Sequence, residues 1–264
     1  PKSLTDMEKA VLINFNRRLA SAPIYVKFNF PEFLEKSLKE SLGNHFQNNL
    51  AALGARADFF IRLNCISGTI NSVISSLKAD GITVERIPRL KNSLKVIENK
   101  SKLSKSRAYL SGQVEIQDIH SQLVVEFISP KKNMKVLDFC AGAGGKILAI
   151  ASLTRGASEY FVYDKSKSKL PNLLTRCKRA GVKVQIFDPN EVSSKNNKFD
   201  LVVIDVPCSG TGVWKRNPES KWQLTEEKLE SIHSEQRRIL RNAANLVQKG
   251  GMLAYITCSV LKSE

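Results

Sequence analysis

A glycine-rich turn between a strand pattern and a helix pattern constrains this chain more than any other feature. The short strand pattern Lys135–Asp138 leads into residues 139–146, which contain three glycines, and an apolar helical pattern runs from Ile147 to Leu153. A strand, a tight loop and a helix N-terminus bring backbone N–H groups close to a bound ligand. The stretch therefore predicts an α/β sheet with a ligand-binding turn.

Two well-known nucleotide loops do not fit this turn. A P-loop has glycine where Cys140 stands and a hydroxyl residue where Ile147 stands. The dinucleotide fingerprint also requires glycine at position 147. The glycines alone are equally compatible with a turn that binds nothing.

Two later strand patterns also end in polar or reactive residues. The apolar run 202–204 ends in Asp205 and leads to Cys208, and the run 253–256 leads to Thr257 and Cys258. Because the carboxyl ends of parallel strands share one edge, we expect two thiols and two carboxylates, Asp138 among them, to meet there.

The charge balance favours a polyanionic partner. Lysine and arginine total 41 against 25 acidic residues, a net charge of +16. Nucleic acid is the first interpretation and an anionic membrane surface the second. No apolar run has the length of a membrane span, and no secretory signal opens the chain. Five cysteines without a C-x-x-C pair, and three scattered histidines, predict reduced thiols and no metal. We expect a cytoplasmic monomer.

The patterns divide the chain into three segments. Residues 1–58 have helical apolar spacing, residues 59–120 form a small α+β RNA-binding module, and residues 121–264 form the catalytic domain. From Arg86 to Arg107 eight basic residues occur with one acidic residue. Such a run is either a solvated face or a phosphate-binding surface, and beside a catalytic domain we favour the second.

Strand and helix patterns alternate in the third segment, which predicts a parallel, doubly wound sheet with helices on both faces. A helix begins near Pro171 and stops at Gly181, and another is capped by Thr225 and ended by residues 249–251. We expect further strands beyond Glu264. The predicted strands are 135–138, 159–163, 182–187, 201–205 and 252–257.

Aspartates at strand ends indicate a nucleoside cofactor. Asp164 follows Gly144 by twenty residues, where an acidic side chain reaches a ribose diol, and Asp188 suits the adenine side. Strand-terminal aspartates also cap helices, which is the structural alternative. Because the dinucleotide spacing is missing, we favour S-adenosylmethionine over a nicotinamide.

The thiols suggest the reaction. A thiolate that adds to carbon 6 of cytosine makes carbon 5 nucleophilic toward a methyl sulfonium. Asp205 is placed to bond the ring nitrogen edge, and the second thiol to help remove the proton or release the first. We expect the basic residues Lys146, Lys215 and Arg216 to lower the pKa of Cys208 and Cys258. The remaining cysteines are read as packing: Cys65, Cys140 and Cys177.

Six stretches resemble the Sun/Fmu family of RNA cytosine-5 methyltransferases: DFCAGAGGK at 138–146, DVPCSGTGV at 205–213, RNPESKW at 216–222, TCSV at 257–260, QVEIQDIHSQL at 113–123 and FIRLN at 60–64. The resemblance implies a Rossmann-like class I methyltransferase using S-adenosylmethionine, with ribosomal RNA as the partner. It also implies Cys258 as nucleophile and Cys208 as the releasing cysteine. The cofactor residues it implies are Cys140, Ala141, Gly142, Ala143, Gly144, Gly145, Lys146, Asp164, Asp188 and Asp205.

The chain departs from the family's loop at two positions. Ala143 replaces the usual proline and Ile147 the usual threonine, so we expect a looser loop but no lost catalytic group. Three alternatives stay open: an RNA-binding assembly factor with a weakened site, a transfer-RNA cytosine-5 methyltransferase, and attack by Cys208. An enzyme that methylates an exocyclic nitrogen is disfavoured, since it prefers an aromatic residue where Cys208 stands.

Overall fold

The computed structural model describes residues 5–189 and 198–264. Contacts divide the chain into two compact units, and both are assembled from separate stretches. The first unit comprises Pro1–Ala57, Cys208–Ser234 and Cys258–Glu264. The second comprises Asp58–Pro207 and Glu235–Thr257. The division into 1–58, 59–120 and 121–264 stays a prediction.

The N-terminal stretch is helical, as its apolar spacing predicts. A capping box opens the first helix, because the Thr5 hydroxyl accepts from the Glu8 N–H and the Glu8 carboxylate accepts from the Thr5 N–H. Phe30, Leu34 and Leu38 pack there with Trp214 and with other residues of the first unit. The helices are α1 Asp6–Ser21, α2 Ile24–Lys27, α3 Glu35–Leu42 and α4 Phe46–Gly54.

A four-stranded antiparallel sheet opens the second unit, in the order β2-β3-β1-β4. The sequence reading missed β3, because the lysines in this stretch were taken as one surface run. In the strand, its apolar residues are buried while Lys91 is exposed. The elements are β1 Phe60–Leu63, α5 Ile70–Ala79, β2 Val84–Ile87, β3 Leu90–Val96, α6 Arg107–Leu110 and β4 Val114–Ile116.

The five-stranded sheet of the second unit is entirely parallel, with the order β7-β6-β5-β8-β9. The prediction of a parallel α/β sheet is therefore confirmed. Its elements are α7 Ile119–Ile128, β5 Lys135–Asp138, α8 Gly145–Leu153, β6 Glu159–Val162, α9 Leu170–Ala180, β7 Gln185–Ile186, β8 Phe199–Asp205, α10 Glu226–Ala244 and β9 Val247–Ile256.

Three predicted boundaries are wrong, among them the start of β9, which lies at Val247 and not at residue 252. Strand β7 is only two residues long, not 182–187. Helix α10 ends at Ala244, and the turn signal at 249–251 lies inside β9. The register between β8 and β9 shifts near Phe199, where a Cβ on Gly251 would lie 2.9 Å from the Phe199 carbonyl oxygen. The glycines therefore mark an irregularity in a strand, not a helix end.

Helix α8 is the most deeply buried helix of the large sheet. Every residue from Lys146 to Ser152 is buried, including the lysine. This explains why its sequence is apolar on every side. Within residues 5–189 and 198–264, no helix combines the length and apolar character needed to cross a membrane.

Candidate active site

Two cysteine sulfurs lie together in the first unit. The Sγ atoms of Cys208 and Cys258 are 3.0 Å apart, and the Cys258 N–H donates to Cys208 Sγ at 3.3 Å. Both cysteines are reduced; Cys208 is half-buried and Cys258 is exposed. The sulfurs therefore converge as the strand-end motifs predict, and their chemical roles stay predictions.

The loop after Cys208 is fastened to the segment after Cys258. The Gly212 N–H donates to the Cys258 carbonyl at 2.9 Å. A Cβ on Gly212 would lie 2.8 Å from that carbonyl oxygen, so a side chain does not fit at this position. The Thr211 hydroxyl, fully buried, lies 3.0 Å from Ser259 Oγ and accepts from the Val260 N–H at 2.9 Å.

Ser209 adds a second fastening beside Cys208. Its N–H donates to Glu264 Oε1 at 2.8 Å, and its hydroxyl bonds to both Glu264 and Ser259. The Leu261 N–H donates to Ser259 Oγ at 3.0 Å. Side-chain hydroxyls thus hold the position of both sulfurs, a role that the motifs SGTG and TCS do not reveal by residue type.

The expected lowering of the Cys208 pKa is wrong. The hydrogen bond with Cys258 is the largest influence and raises the pKa of Cys208, and burial and the neighbouring thiol raise it further. A carboxylate or thiolate nearby disfavours a second negative charge. Cys208 therefore holds its proton at neutral pH and suits the role of proton donor better than that of nucleophile.

The glycine loop of the second unit is bonded to a strand-end carboxylate. Gly142 and Gly144 have φ of 53° and 84°, the left-handed region that favours glycine. The Gly142 N–H donates to Asp164 Oδ2 at 2.8 Å, and the Ser166 N–H donates to Asp164 Oδ1 at 2.8 Å. Asp164 thus binds loop backbone, a structural role that differs from the helix cap considered as the alternative to ribose binding. A second lone pair on each oxygen leaves the ribose contact as a prediction.

Lys146 and two aspartates form a charged cluster at the ends of β5 and β8. Lys146 Nζ donates to Asp205 Oδ2 at 2.7 Å and to Ser121 Oγ at 3.3 Å. Asp138 is fully buried, and burial, with a smaller contribution from Asp205, raises the pKa of its carboxyl to about 7. Lys146 opposes the rise, as do the backbone N–H groups of Ile147 and Cys140. Within the described residues, neither Asp138 oxygen has a hydrogen bond of standard geometry.

The other predicted cofactor residues differ in their hydrogen bonds, thiol pKa and burial. The Ala141 N–H donates to the Tyr163 carbonyl at 3.0 Å, within the loop's own structure. Burial raises the pKa of Cys140 to about 12 and that of Cys177 to about 11, so both fit the interpretation as inert packing. Asp188 is half-buried and follows β7. Its contact with a cofactor stays a prediction.

Sequence reasoning missed the residues that hold the loop's carbonyl groups. Arg176 Nη1 donates to the Ala143 carbonyl at 2.6 Å, and Gln117 Nε2 donates to the Gly145 carbonyl at 3.0 Å. Gln117 lies in the stretch 113–123 that resembles the family, but nothing in that stretch indicates a contact with the loop, and Arg176 belongs to no motif. Gln117 and Arg176 lie 28 and 33 positions along the chain from their partners. Only the folded arrangement brings them together.

Comparison with known proteins identifies the family. The model of "16S rRNA methyltransferase RsmB/F" matches residues 125–264, more than half of the chain. The chain belongs to this family. A second model, a ferredoxin-like domain of RsmF/B-like methyltransferases, matches residues 30–101.

Relatives of this RsmB/F family member agree. It is 31% identical over 209 residues to "Probable ribosomal RNA small subunit methyltransferase B" of Bacillus subtilis, covering 77% of this chain and 46% of the relative. With "Ribosomal RNA small subunit methyltransferase B" of Photorhabdus laumondii the identity is 28% over 238 residues, covering 89% and 55%. The chain thus spans about half the length of these curated relatives.

A solved structure shows the same fold. The crystal structure of PH0851 matches with a TM-score of 0.83 at 28% identity, covering 100% of this chain and 57% of that one. A methyltransferase homologue from Pyrococcus horikoshii matches with a TM-score of 0.77 at 21% identity, covering 90% and 77%. The Rossmann-like methyltransferase fold expected from the sequence is therefore confirmed.

Membership of the RsmB/F family implies S-adenosylmethionine as cofactor, and the residues present fit it. A Cβ on Gly142 would meet no heavy atom within 4 Å, so the loop leaves open space where a ligand can approach the backbone. Asp205 keeps a partly exposed carboxylate beside Lys146. A carboxylate of this kind attracts the positive charge that the cofactor carries. Among the described residues, no group of three His, Cys, Asp or Glu side chains is placed to hold a metal ion.

Proposed function

We propose that this protein transfers a methyl group from S-adenosylmethionine to carbon 5 of a cytosine in RNA, with 16S ribosomal RNA as the substrate. The observation that carries the proposal is the 3.0 Å separation of the Cys208 and Cys258 sulfurs. A packing role does not require two free thiols in contact, one of them exposed. The names of the family and of its relatives support ribosomal RNA as the substrate.

Cys258 is the nucleophile in this proposal, because it is the exposed member of the pair. Its thiolate forms a bond to carbon 6 of cytosine, and Asp205, three residues before Cys208 in the chain, hydrogen-bonds the ring nitrogen edge. When bound, the cofactor supplies the electrophilic methyl group that carbon 5 takes up.

Cys208 assists the release of the product. After methylation, carbon 5 loses its proton to water and the bond between Cys258 Sγ and carbon 6 breaks. A hydrogen bond from the Cys208 thiol stabilises the departing sulfur, since the pKa of Cys208 is raised and its proton is retained. The Cys258 thiolate is thereby regenerated.

The small antiparallel sheet supplies RNA contacts in this proposal. Several of the basic side chains between Arg86 and Arg107 are exposed, Arg89, Lys91 and Lys100 among them. Others are engaged within the protein: Lys95 pairs with Asp58 at 2.8 Å and Arg107 with Asp80 at 3.1 Å. The exposed set is therefore the proposed phosphate-binding surface.

The decisive experiment traps the covalent adduct. RNA containing 5-fluorocytosine blocks the last step, because carbon 5 then carries fluorine instead of a removable proton. We expect wild-type protein and Cys208→Ala to form an adduct that survives denaturation, and Cys258→Ala to form none. Cys65→Ala is the matched control and traps like wild type. An adduct lost in Cys208→Ala but kept in Cys258→Ala would assign the attack to Cys208 instead.

Mapping by bisulfite sequencing separates the substrates. Cells with and without the protein are compared for methylated cytosines in 16S ribosomal RNA and in transfer RNA. We expect one class of site in 16S ribosomal RNA to disappear without the protein. Loss of sites in transfer RNA alone would make it a transfer-RNA enzyme.

A second candidate function is RNA binding without catalysis. Ala143 in place of the usual proline is the observation that favours it, since a looser loop binds a cofactor more weakly. Calorimetric titration with S-adenosylmethionine tests it directly. RNA binding without measurable cofactor binding would favour an assembly factor over an enzyme.

The cellular setting is also a proposal. We infer that the protein acts as a monomer in the cytoplasm, since all five cysteines are free thiols and its net charge of +16 opposes self-association. Gel filtration with light scattering tests the monomer.

A further inference from the structure

Two side chains from outside the glycine loop hold two of its carbonyl groups. Arg176, on α9, donates to the Ala143 carbonyl at 2.6 Å. Gln117, just after β4, donates to the Gly145 carbonyl at 3.0 Å. Because a peptide unit is planar, fixing a carbonyl also fixes the N–H group on its other side. The orientations of the Gly144 and Lys146 N–H groups are therefore set by residues remote in sequence.

Arg176 is itself held by a buried carboxylate. Its Nη2 donates to Glu115 Oε2 at 2.9 Å, and Glu115 is only 1% exposed. The other Glu115 oxygen accepts from Arg179 at 2.5 Å. A guanidinium group is a rigid, planar fork, so one end anchored on Glu115 fixes the direction of the other end toward Ala143.

Gln117 is fixed in a similar way. Its Oε1 accepts from Arg62 Nε at 2.7 Å, which directs the amide nitrogen toward Gly145. Gln117 and Arg62 are both buried. Burial lowers the pKa of Arg62 to about 10, so it remains a charged donor at neutral pH. Both supports begin on the small antiparallel sheet, where Arg62 pairs with Glu115 across β1 and β4.

The loop needs such support because of its composition. It contains three glycines and an alanine where the resembled family has proline, and a flexible loop loses more conformational entropy when it becomes ordered. Ordering the loop before the ligand arrives removes that cost from binding.

We propose that Glu115 and Arg176 are positioning residues that pre-order the cofactor loop and supply the rigidity that proline gives elsewhere. The inference rests on the proposed cofactor site. Arg176 contacts the loop directly, at the Ala143 carbonyl, and Glu115 orients Arg176. Gln117 holds the Gly145 carbonyl independently of both.

The first test compares two arginines that share Glu115. Arg176 donates to the loop, whereas the Arg179 side chain donates to Glu115 and lies over the Tyr109 ring. We expect Arg176→Met to weaken S-adenosylmethionine binding about tenfold by calorimetry, and the matched control Arg179→Met to leave it within about twofold. An equal loss of S-adenosylmethionine affinity in the two variants would indicate general destabilisation and overturn the proposal. Unchanged affinity in Arg176→Met would overturn it as well.

The second test is a double-mutant cycle with proline in the loop. The Ala143 N–H donates no hydrogen bond among the described residues, so Ala143→Pro removes none. If Arg176 acts by restraining the loop, the loss caused by Arg176→Met shrinks to about threefold or less in the Ala143→Pro background. The same loss in both backgrounds would contradict the proposal.

A third measurement needs no cofactor. Hydrogen exchange of the peptide covering 139–146 should be faster in cofactor-free Arg176→Met than in wild type, and unchanged in Arg179→Met. Unchanged exchange in both variants would overturn the proposal that Arg176 orders the loop. If wild-type protein failed to bind S-adenosylmethionine while exchange rose in Arg176→Met as expected, the proposed function would be wrong. The ordering of the loop by Arg176 would still hold.

Discussion

The glycine loop and the thiol pair are held in place by different kinds of contact. Charged side chains hold the loop: Asp164 accepts from its backbone, and Arg176 donates to it. Hydroxyls and backbone groups, together with the Glu264 carboxylate, hold the segments that carry the thiols. Charged side chains order the loop for a charged ligand, whereas Cys208 stays protonated because of its hydrogen bond with Cys258 and its burial. The comparison predicts that substitutions at the loop weaken cofactor binding, whereas substitutions near the thiols slow methyl transfer.

Gly212→Ala has the largest expected effect on the thiol side. The new Cβ would lie 2.8 Å from the Cys258 carbonyl oxygen, which is backbone and has little freedom to yield. We expect methyl transfer to fall about a hundredfold, which corresponds to about 2.7 kcal/mol, while the Kd for S-adenosylmethionine stays unchanged. Single-turnover assays and calorimetry measure the two quantities.

Gly54→Ala is the matched control for Gly212→Ala, since a Cβ there would meet no heavy atom within 4 Å. It should retain wild-type activity. If Gly212→Ala weakened cofactor binding as much as methyl transfer, the separation between the two regions would be lost.

Asp138→Asn tests the charged cluster through its pH dependence. The folded-state pKa is about 7 and the ordinary value 3.8, so the unfolded chain releases this proton first as pH rises. The stability from the retained proton is complete below about pH 4 and is lost by about pH 7. Asp138→Asn avoids that loss, so its advantage over wild type in unfolding free energy grows across this range to about 2–4 kcal/mol.

Urea unfolding at a series of pH values measures this difference. Asp58→Asn, at a half-exposed carboxylate, is the control for the loss of one negative charge. A difference between wild type and Asp138→Asn that stayed constant from acid to neutral pH would mean that folding does not raise the pKa of Asp138.

Thr211→Val probes the hydroxyl network with little change in shape. The substitution leaves the Val260 N–H without its acceptor and removes the bond to Ser259. We expect a loss of about 1–2 kcal/mol in unfolding free energy and about tenfold slower methyl transfer, with the cofactor Kd unaffected. Thr175→Val, which removes one exposed hydroxyl contact to Pro171, is the control. Equal kinetic effects of the two variants would remove the network from catalysis.

The smallest expected effect lies in the basic segment, outside both regions. Replacing Arg89, Lys91 and Lys100 by glutamine should flatten the salt dependence of RNA binding by about two in the log–log slope, without altering cofactor binding. The control changes three other exposed lysines to glutamine, Lys131, Lys132 and Lys183. If both triple variants changed the slope equally, RNA would follow total charge and not this surface.

Local sequence patterns predicted most of the fold. Apolar runs that end in Asp138 and Asp205 gave the central parallel strands, because such runs are rarely anything else when helices alternate with them. Strand β3 was missed because its lysines, of which Lys91 is exposed, conceal a buried apolar face in the sequence. The glycines at 250 and 251 were misread because a break in a strand and a helix end use the same residue.

Motifs in the sequence predicted which residues belong to the candidate site, but not the contacts between them. Cys208 and Cys258 were found from their motifs, but the raised pKa of Cys208 depends on a 3.0 Å contact that spacing along the chain does not express. Glu115 lies in a stretch that resembles the family and Arg176 lies in none, but neither contact is visible in the sequence because the partners lie tens of residues away. Long-range ion pairs of this kind require the fold before they can be recognised.

The glycine at 251 has a consequence for interpreting natural variants. A side chain there would press on the carbonyls of Phe199 and Asp200 and disturb the register that aligns Asp205 with Ile256. The chain reaches Cys258 two residues after that strand ends. A sequence change at 251 would thus displace the end of β9 while every motif stayed intact, and a search for motifs alone would not detect it.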